Sequence, residues 1–103
     1  MAFWDPERVE HIGTRFLRYP GSVSIPVEWA EDATDDPVAI VSDPDPRSGP
    51  PIVRVGGYSS TAGLVITVVC ERKDGELWGV TAWKTSGRER RSYWEAAHAR
   101  ERD

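Results

Sequence analysis

The chain has 103 residues, enough for one hydrophobic core and one domain spanning 1–103, and too few for two. Its formal charge is −4, with 39% apolar and 29% charged residues, which excludes wholesale disorder and a uniformly basic nucleic-acid binder. No apolar run approaches the ~18–20 residues that span a bilayer, the N-terminus lacks a signal-peptide pattern, and the single Cys70 excludes a disulfide framework or multi-cysteine metal site within one chain. A cytoplasmic location and a buried Cys70 are expected.

In chain order, Asp5 is a candidate N-cap and Pro6 a good first helical residue. Val9, Ile12, Phe16 and Leu17 recur at helical spacing and predict an amphipathic helix over 6–18, ended by Tyr19-Pro20-Gly21. Pro26 opens a second helix to about Asp35, with acids in its first turns and Pro37 as its stop. Val38–Ser42 reads as a first strand. The proline-rich stretch 43–51 must be a loop, because proline cannot serve a central ladder.

Ile52–Tyr58 alternates as a strand, with Gly56-Gly57 marking a bulge or a close backbone approach. In it Val53 and Val55 share one face and Arg54 the other. Leu64–Cys70 is apolar without alternation and suits a central strand covered on both sides. Lys73-Asp74-Gly75 carries the Asp-Gly hairpin signature, and Leu77–Lys84 is the partner strand. Strict alternation sets Trp78 with Val80 and Ala82, and Trp83 with Thr81 and Gly79, on opposite faces. Trp78 is then the core residue. Ser86-Gly87-Arg88-Glu89 has capping-box form and opens a helix to about Ala99. The expected fold is α+β: two N-terminal helices, a four-stranded mainly antiparallel sheet and a C-terminal helix, with the helices gathered on one face.

Charge is unevenly spread. Residues 28–46 hold seven acids and no Lys or Arg, an acidic edge suited to solvent or a basic partner. Residues 84–91 hold Lys84, Arg88, Arg90 and Arg91 against Glu89 alone, close to Trp83, Tyr93 and Trp94. Cations with interleaved aromatics suit RNA, where guanidinium groups hold phosphates and rings stack on unpaired bases. The same pattern also describes an amphipathic helix with a charged outer face. No phosphate loop, paired histidine motif or nucleophile elbow is present, and no cofactor or metal is expected.

Several strings, in order, resemble the BrnT-type toxins of bacterial toxin–antitoxin pairs, which have a RelE-like fold. They are Phe3-Trp4-Asp5-Pro6, Asp35-Asp36-Pro37, Asp43-Pro44-Asp45, Arg54-Val55-Gly56-Gly57-Tyr58-Ser59, Val68-Val69-Cys70-Glu71-Arg72, and 81–93 from Thr81 to Tyr93. The chain departs from the family's pattern in carrying Trp78 and Trp83 where arginines are usual, and in being acidic overall. The resemblance implies an endoribonuclease in which the RNA's own 2′-hydroxyl attacks the adjacent phosphate. Arg54, Arg72 and Lys84 would hold that phosphate, Arg88 and Arg91 would add contacts, and Trp83 would stack on a base. Glu89 or Tyr93 would transfer protons, Glu89 being equally explained as the capping-box acid. It further implies a cognate antitoxin, met as a dimer in a hetero-oligomer, with no membrane partner. The alternative is a non-catalytic module that pairs with an antitoxin-type DNA-binding protein.

Overall fold

The computed structural model describes residues 2–101. Helix α1 spans Pro6–Gly13, with the Asp5 side chain accepting from the Arg8 N–H as N-cap. It ends five residues before the expected boundary. The Thr14 hydroxyl donates to the Glu10 carbonyl at 2.7 Å, the flexible Gly13 precedes it, and the chain tightens into a 3-10 turn over Arg15–Leu17. Phe16 and Leu17, which the periodicity assigned to the buried side, are exposed. Helix α2 spans Val27–Asp35 after Pro26.

The strands are β1 (Ile40–Ser42), β2 (Ile52–Ser59), β3 (Leu64–Lys73) and β4 (Glu76–Lys84), and helix α3 spans Gly87–Glu101. They form one antiparallel sheet in the order β1-β2-β3-β4, so the α+β architecture is as expected. Asp74 and Gly75 both take positive φ, which is what a two-residue type I′ hairpin needs to match strand twist. Beyond β4 the N-terminus adds a rudimentary parallel edge. Phe3 bridges Trp78 and exchanges backbone hydrogen bonds with Leu77 and Gly79.

The main core lies between one sheet face and helices α1 and α2: Ile12, Ile25, Ala30, Ala33, Ile66, Val68, Cys70 and Ala82 are fully buried. Burial pushes the Cys70 thiol up to about 11. Gly57 permits the close approach. A Cβ there would sit 2.0 Å from the Ala33 carbonyl oxygen, so α2 rests directly on β2. Pairing of β2 with β3 is regular at this point, so the glycine pair marks the close approach and no bulge.

Other expectations fail for physical reasons. First, the helices do not share a face. Gly87 has φ +61°, a left-handed turn that sends α3 to the opposite side, where Tyr93 and Ala97 pack with Val65, Tyr58 and Trp94 as a second, smaller core. Trp94 meets Tyr58 and Tyr93 edge-on at 5.5 and 5.1 Å between centroids. A capping box needs helical backbone just after the cap, and Gly87 does not supply it. Second, β4 contains a bulge. Val69 pairs Thr81 but Cys70 pairs Gly79, leaving Val80 as the extra residue. The phase slips by one, so Trp78 (opposite Glu71) and Trp83 (opposite Thr67) point to the same side as Arg54. The ring that fills the core from this edge is Trp4, packed against Gly79. No helix of the described residues is long and apolar enough to cross a membrane.

Candidate RNA-binding groove

The sheet face away from α1 and α2 is only partly covered, because α3 lies across one end of it. Between α3, the 43–51 loop and this face is a cavity of about 320 Å³. Cross-strand neighbours Gly56 and Thr67 form its floor with Val65 and Thr85. Thr67 and Thr85 are buried, with their hydroxyls hydrogen-bonded at 2.6 Å. Arg54 rises from β2, Asp45 and Arg47 come from the loop, and Arg88, Glu89, Ser92 and Tyr93 come from the first turns of α3. Three arginines and two acids thus line one small cavity.

Arg54 is the organising residue. Its side chain is 19% exposed; Nε lies 3.2 Å from Asp45 Oδ1, and Nη1 lies 3.5 Å from Glu89 Oε1. The Asp45 contact is an ion pair without hydrogen-bond alignment, since both atoms lack a well-directed partner. The guanidinium carbon also stands 5.5 Å from the centre of the Trp83 ring, within cation–π range. Burial would raise the Asp45 carboxyl, but hydrogen bonds from Ser48, the Arg54 charge and the Arg47 backbone outweigh it and hold the pKa below its ordinary value. Glu89 is half exposed, so its carboxylate reaches both Arg54 and solvent.

Tyr93 lines the groove, but its hydroxyl is engaged elsewhere. Its hydroxyl donates to Asp36 Oδ2, and burial followed by that hydrogen bond pushes its pKa far up. Asp36 also accepts from the backbone N–H of Tyr58 (2.8 Å) and Val38 (3.0 Å). These bonds overcome the cost of burial and lower its pKa. Asp36 therefore joins the end of α2, strand β2 and α3. The neighbouring acid Asp32 accepts from Ser59 Oγ at 2.8 Å and the Thr61 N–H at 3.3 Å. The acidic stretch is thus not one solvated edge: Asp32, Asp36 and Asp45 are partnered within the fold, while Asp43 pairs with Arg72 at the surface.

The remaining sequence-predicted residues are dispersed. Arg72 falls in phase with Cys70, on the opposite face from Arg54, and pairs with Asp43 at 2.6 Å. Lys84 is exposed and in phase with Ile66, outside the groove. Arg91 is exposed on α3 and does not line the cavity. Sequence reasoning missed Asp45, Arg47 and Arg15. Arg15 stands 4.7 Å from the Tyr19 ring centre and 5.9 Å from that of Trp83. Nothing local in the sequence signals this, because the contact joins the turn after α1 to the end of β4. No family model, curated protein or solved structure matches the chain.

Proposed function

We propose that the chain is a BrnT-type, RelE-like toxin that cleaves RNA in the bacterial cytoplasm and is neutralised by a cognate antitoxin. One observation carries this reading: Arg47, Arg54, Arg88 and Glu89 line a single cavity, and the Arg54 guanidinium stands beside the ring of Trp83. On an acidic chain, three arginines lining one cavity select a phosphate, whose oxygens they can bind bidentately. The shallow, aromatic-flanked sheet face suits unpaired bases.

The chemistry assigned to these residues is transesterification. The 2′-oxygen of one nucleotide attacks the adjacent phosphorus, the P–O5′ bond breaks, and the products are a 2′,3′-cyclic phosphate and a 5′-hydroxyl end. Glu89 accepts the 2′-hydroxyl proton, and solvent returns a proton to the departing 5′-oxygen. The arginines neutralise the charge that gathers on the non-bridging oxygens. Trp83 stacks a flanking base and orients the strand. Tyr93 has a structural role in this scheme. In this reading the antitoxin, a dimer in a hetero-oligomer, would cover apolar side chains such as Phe16, Leu17 and Val41, which are exposed.

A second reading is favoured by the pairing of Arg54 with two carboxylates and by the dispersal of Arg72 and Lys84. In it the chain is a non-catalytic partner of an antitoxin-type DNA-binding protein. Expression of the chain alone separates the two. The ribonuclease reading requires growth arrest and RNA cleavage, both lost in Arg54→Ala made together with Asp45→Asn so that no buried acid is stranded. Harmless expression and intact RNA would select the binding module.

A further inference from the structure

A second cavity, of about 490 Å³, opens beside Trp83. It is lined by Arg15, Ser22, Trp83, Lys84 and Ser86, and the Trp83 ring also lies 5.5 Å from the Arg54 guanidinium carbon. Its electrostatics are the reverse of the groove's. Arg54 has two carboxylates at hand, whereas among the described residues neither Arg15 nor Lys84 has one within ion-pair distance. The Ser22 hydroxyl oxygen is buried and has no hydrogen-bond partner. A buried hydroxyl without a partner normally costs free energy, and two cations with no carboxylate beside them leave the cavity a field that favours an anion. Arg15 is also pre-positioned: its guanidinium lies over Tyr19 and within cation–π distance of Trp83.

We propose that this cavity is a phosphate subsite for a neighbouring nucleotide of the same RNA strand. The strand would cross the Trp83 ring, leaving one phosphate with Arg54 and placing another on Arg15 and Lys84, with the exposed Ser86 as a hydroxyl donor. Lys84 thereby acts in strand binding rather than at the scissile phosphate. The inference rests on the RNA reading above but not on cleavage.

The test uses a 2′-O-methyl hexanucleotide, which lacks the attacking hydroxyl and cannot be cut. Its affinity for the full chain is measured by titration at several salt concentrations, for wild type, Arg15→Ala, Lys84→Ala and Lys84→Gln. Each variant should weaken binding several-fold and reduce the slope of log affinity against log salt by about 0.7, the value for one phosphate contact on a single strand. Unchanged affinity and slope in all three variants would overturn the subsite. So would inorganic phosphate binding as tightly as the hexanucleotide, which would mark a free-phosphate site and not a strand subsite. If the wild-type chain binds with the expected slope changes yet cuts no RNA, the ribonuclease reading fails and the subsite stands.

Discussion

Replacing Tyr93 with Phe removes one oxygen atom and keeps the ring that packs on Val65 and Trp94. The lost contact is the hydrogen bond to Asp36, the carboxylate that ties α3 to the end of α2. Hydrogen bonds to a charged partner contribute about 1.5–3 kcal/mol, and the buried position of Tyr93 argues for the middle of that range. For a domain of this size each kcal/mol moves the melting temperature by about 4–8 °C, so a loss of about 2 kcal/mol lowers Tm by about 8–16 °C. The sign with pH is also determined. Asp36 has a folded pKa below its ordinary 3.8, so the contribution it makes as a carboxylate is complete above 3.8 and lost as pH falls through the lowered value. Thermal melts followed by circular dichroism should show a wide gap between wild type and Tyr93→Phe at pH 7, narrowing below pH 3.8. Equal melting temperatures at pH 7, or a gap that keeps its full width in acid, would refute the reasoning.

Gly57→Ala should destabilise by about 1–3 kcal/mol or more, because its methyl group would meet the Ala33 backbone, which cannot move aside as a flexible side chain can. Gly56→Ala is the matched control; a Cβ there meets nothing within 4 Å, and its melting temperature should stay close to wild type. Stability should also fall in two stages as pH drops. Burial, then Arg18, Arg8 and Arg15, lower the His11 pKa, so the unfolded chain takes up its proton first and stability declines below pH 6.5. Asp32, Asp36 and Asp45, all with lowered pKa values, add a second decline below 3.8. Urea midpoints across pH 3–8 measure both stages, and His11→Gln should abolish the upper one.

Local rules were legible where local chemistry decides. The Asp74-Gly75 hairpin, the alternation of Val53, Arg54 and Val55, and the unbroken apolar β3 were each readable, and the hairpin sets β3 beside β4. The position of α3 was not, because it depends on the sign of φ at Gly87, which glycine leaves open. The two tryptophans were assigned to opposite faces on strict alternation, and the extra residue Val80 undid that. A valine fits a bulge or a regular strand equally well, so nothing in its identity gives warning. Strand alternation singles out the face of Arg54 and the basic, aromatic run singles out Trp83, Arg88 and Glu89, while their expected roles come from the family resemblance. Asp45 and Arg47 escaped notice because the proline-rich loop folds back over β2 through tertiary contacts such as Asp45 N–H to the Ile52 carbonyl. Arg72 was misjudged for a simpler reason. It stands two residues from Cys70, so alternation alone puts it on the core side of the sheet, away from Arg54.

The central claim is that Glu89 and the arginine groove cut RNA through the 2′-hydroxyl. It is tested most directly by incubating wild type and Glu89→Gln with single-stranded RNA and identifying the new ends. Gln keeps the shape of a half-exposed side chain and removes the proton acceptor. The account predicts 2′,3′-cyclic phosphate and 5′-hydroxyl ends from the wild type, with a rate about 10²–10⁴-fold lower for Glu89→Gln, the usual worth of a positioned general base. Cleavage by Glu89→Gln at the wild-type rate, or no cleavage by the wild type, would contradict it.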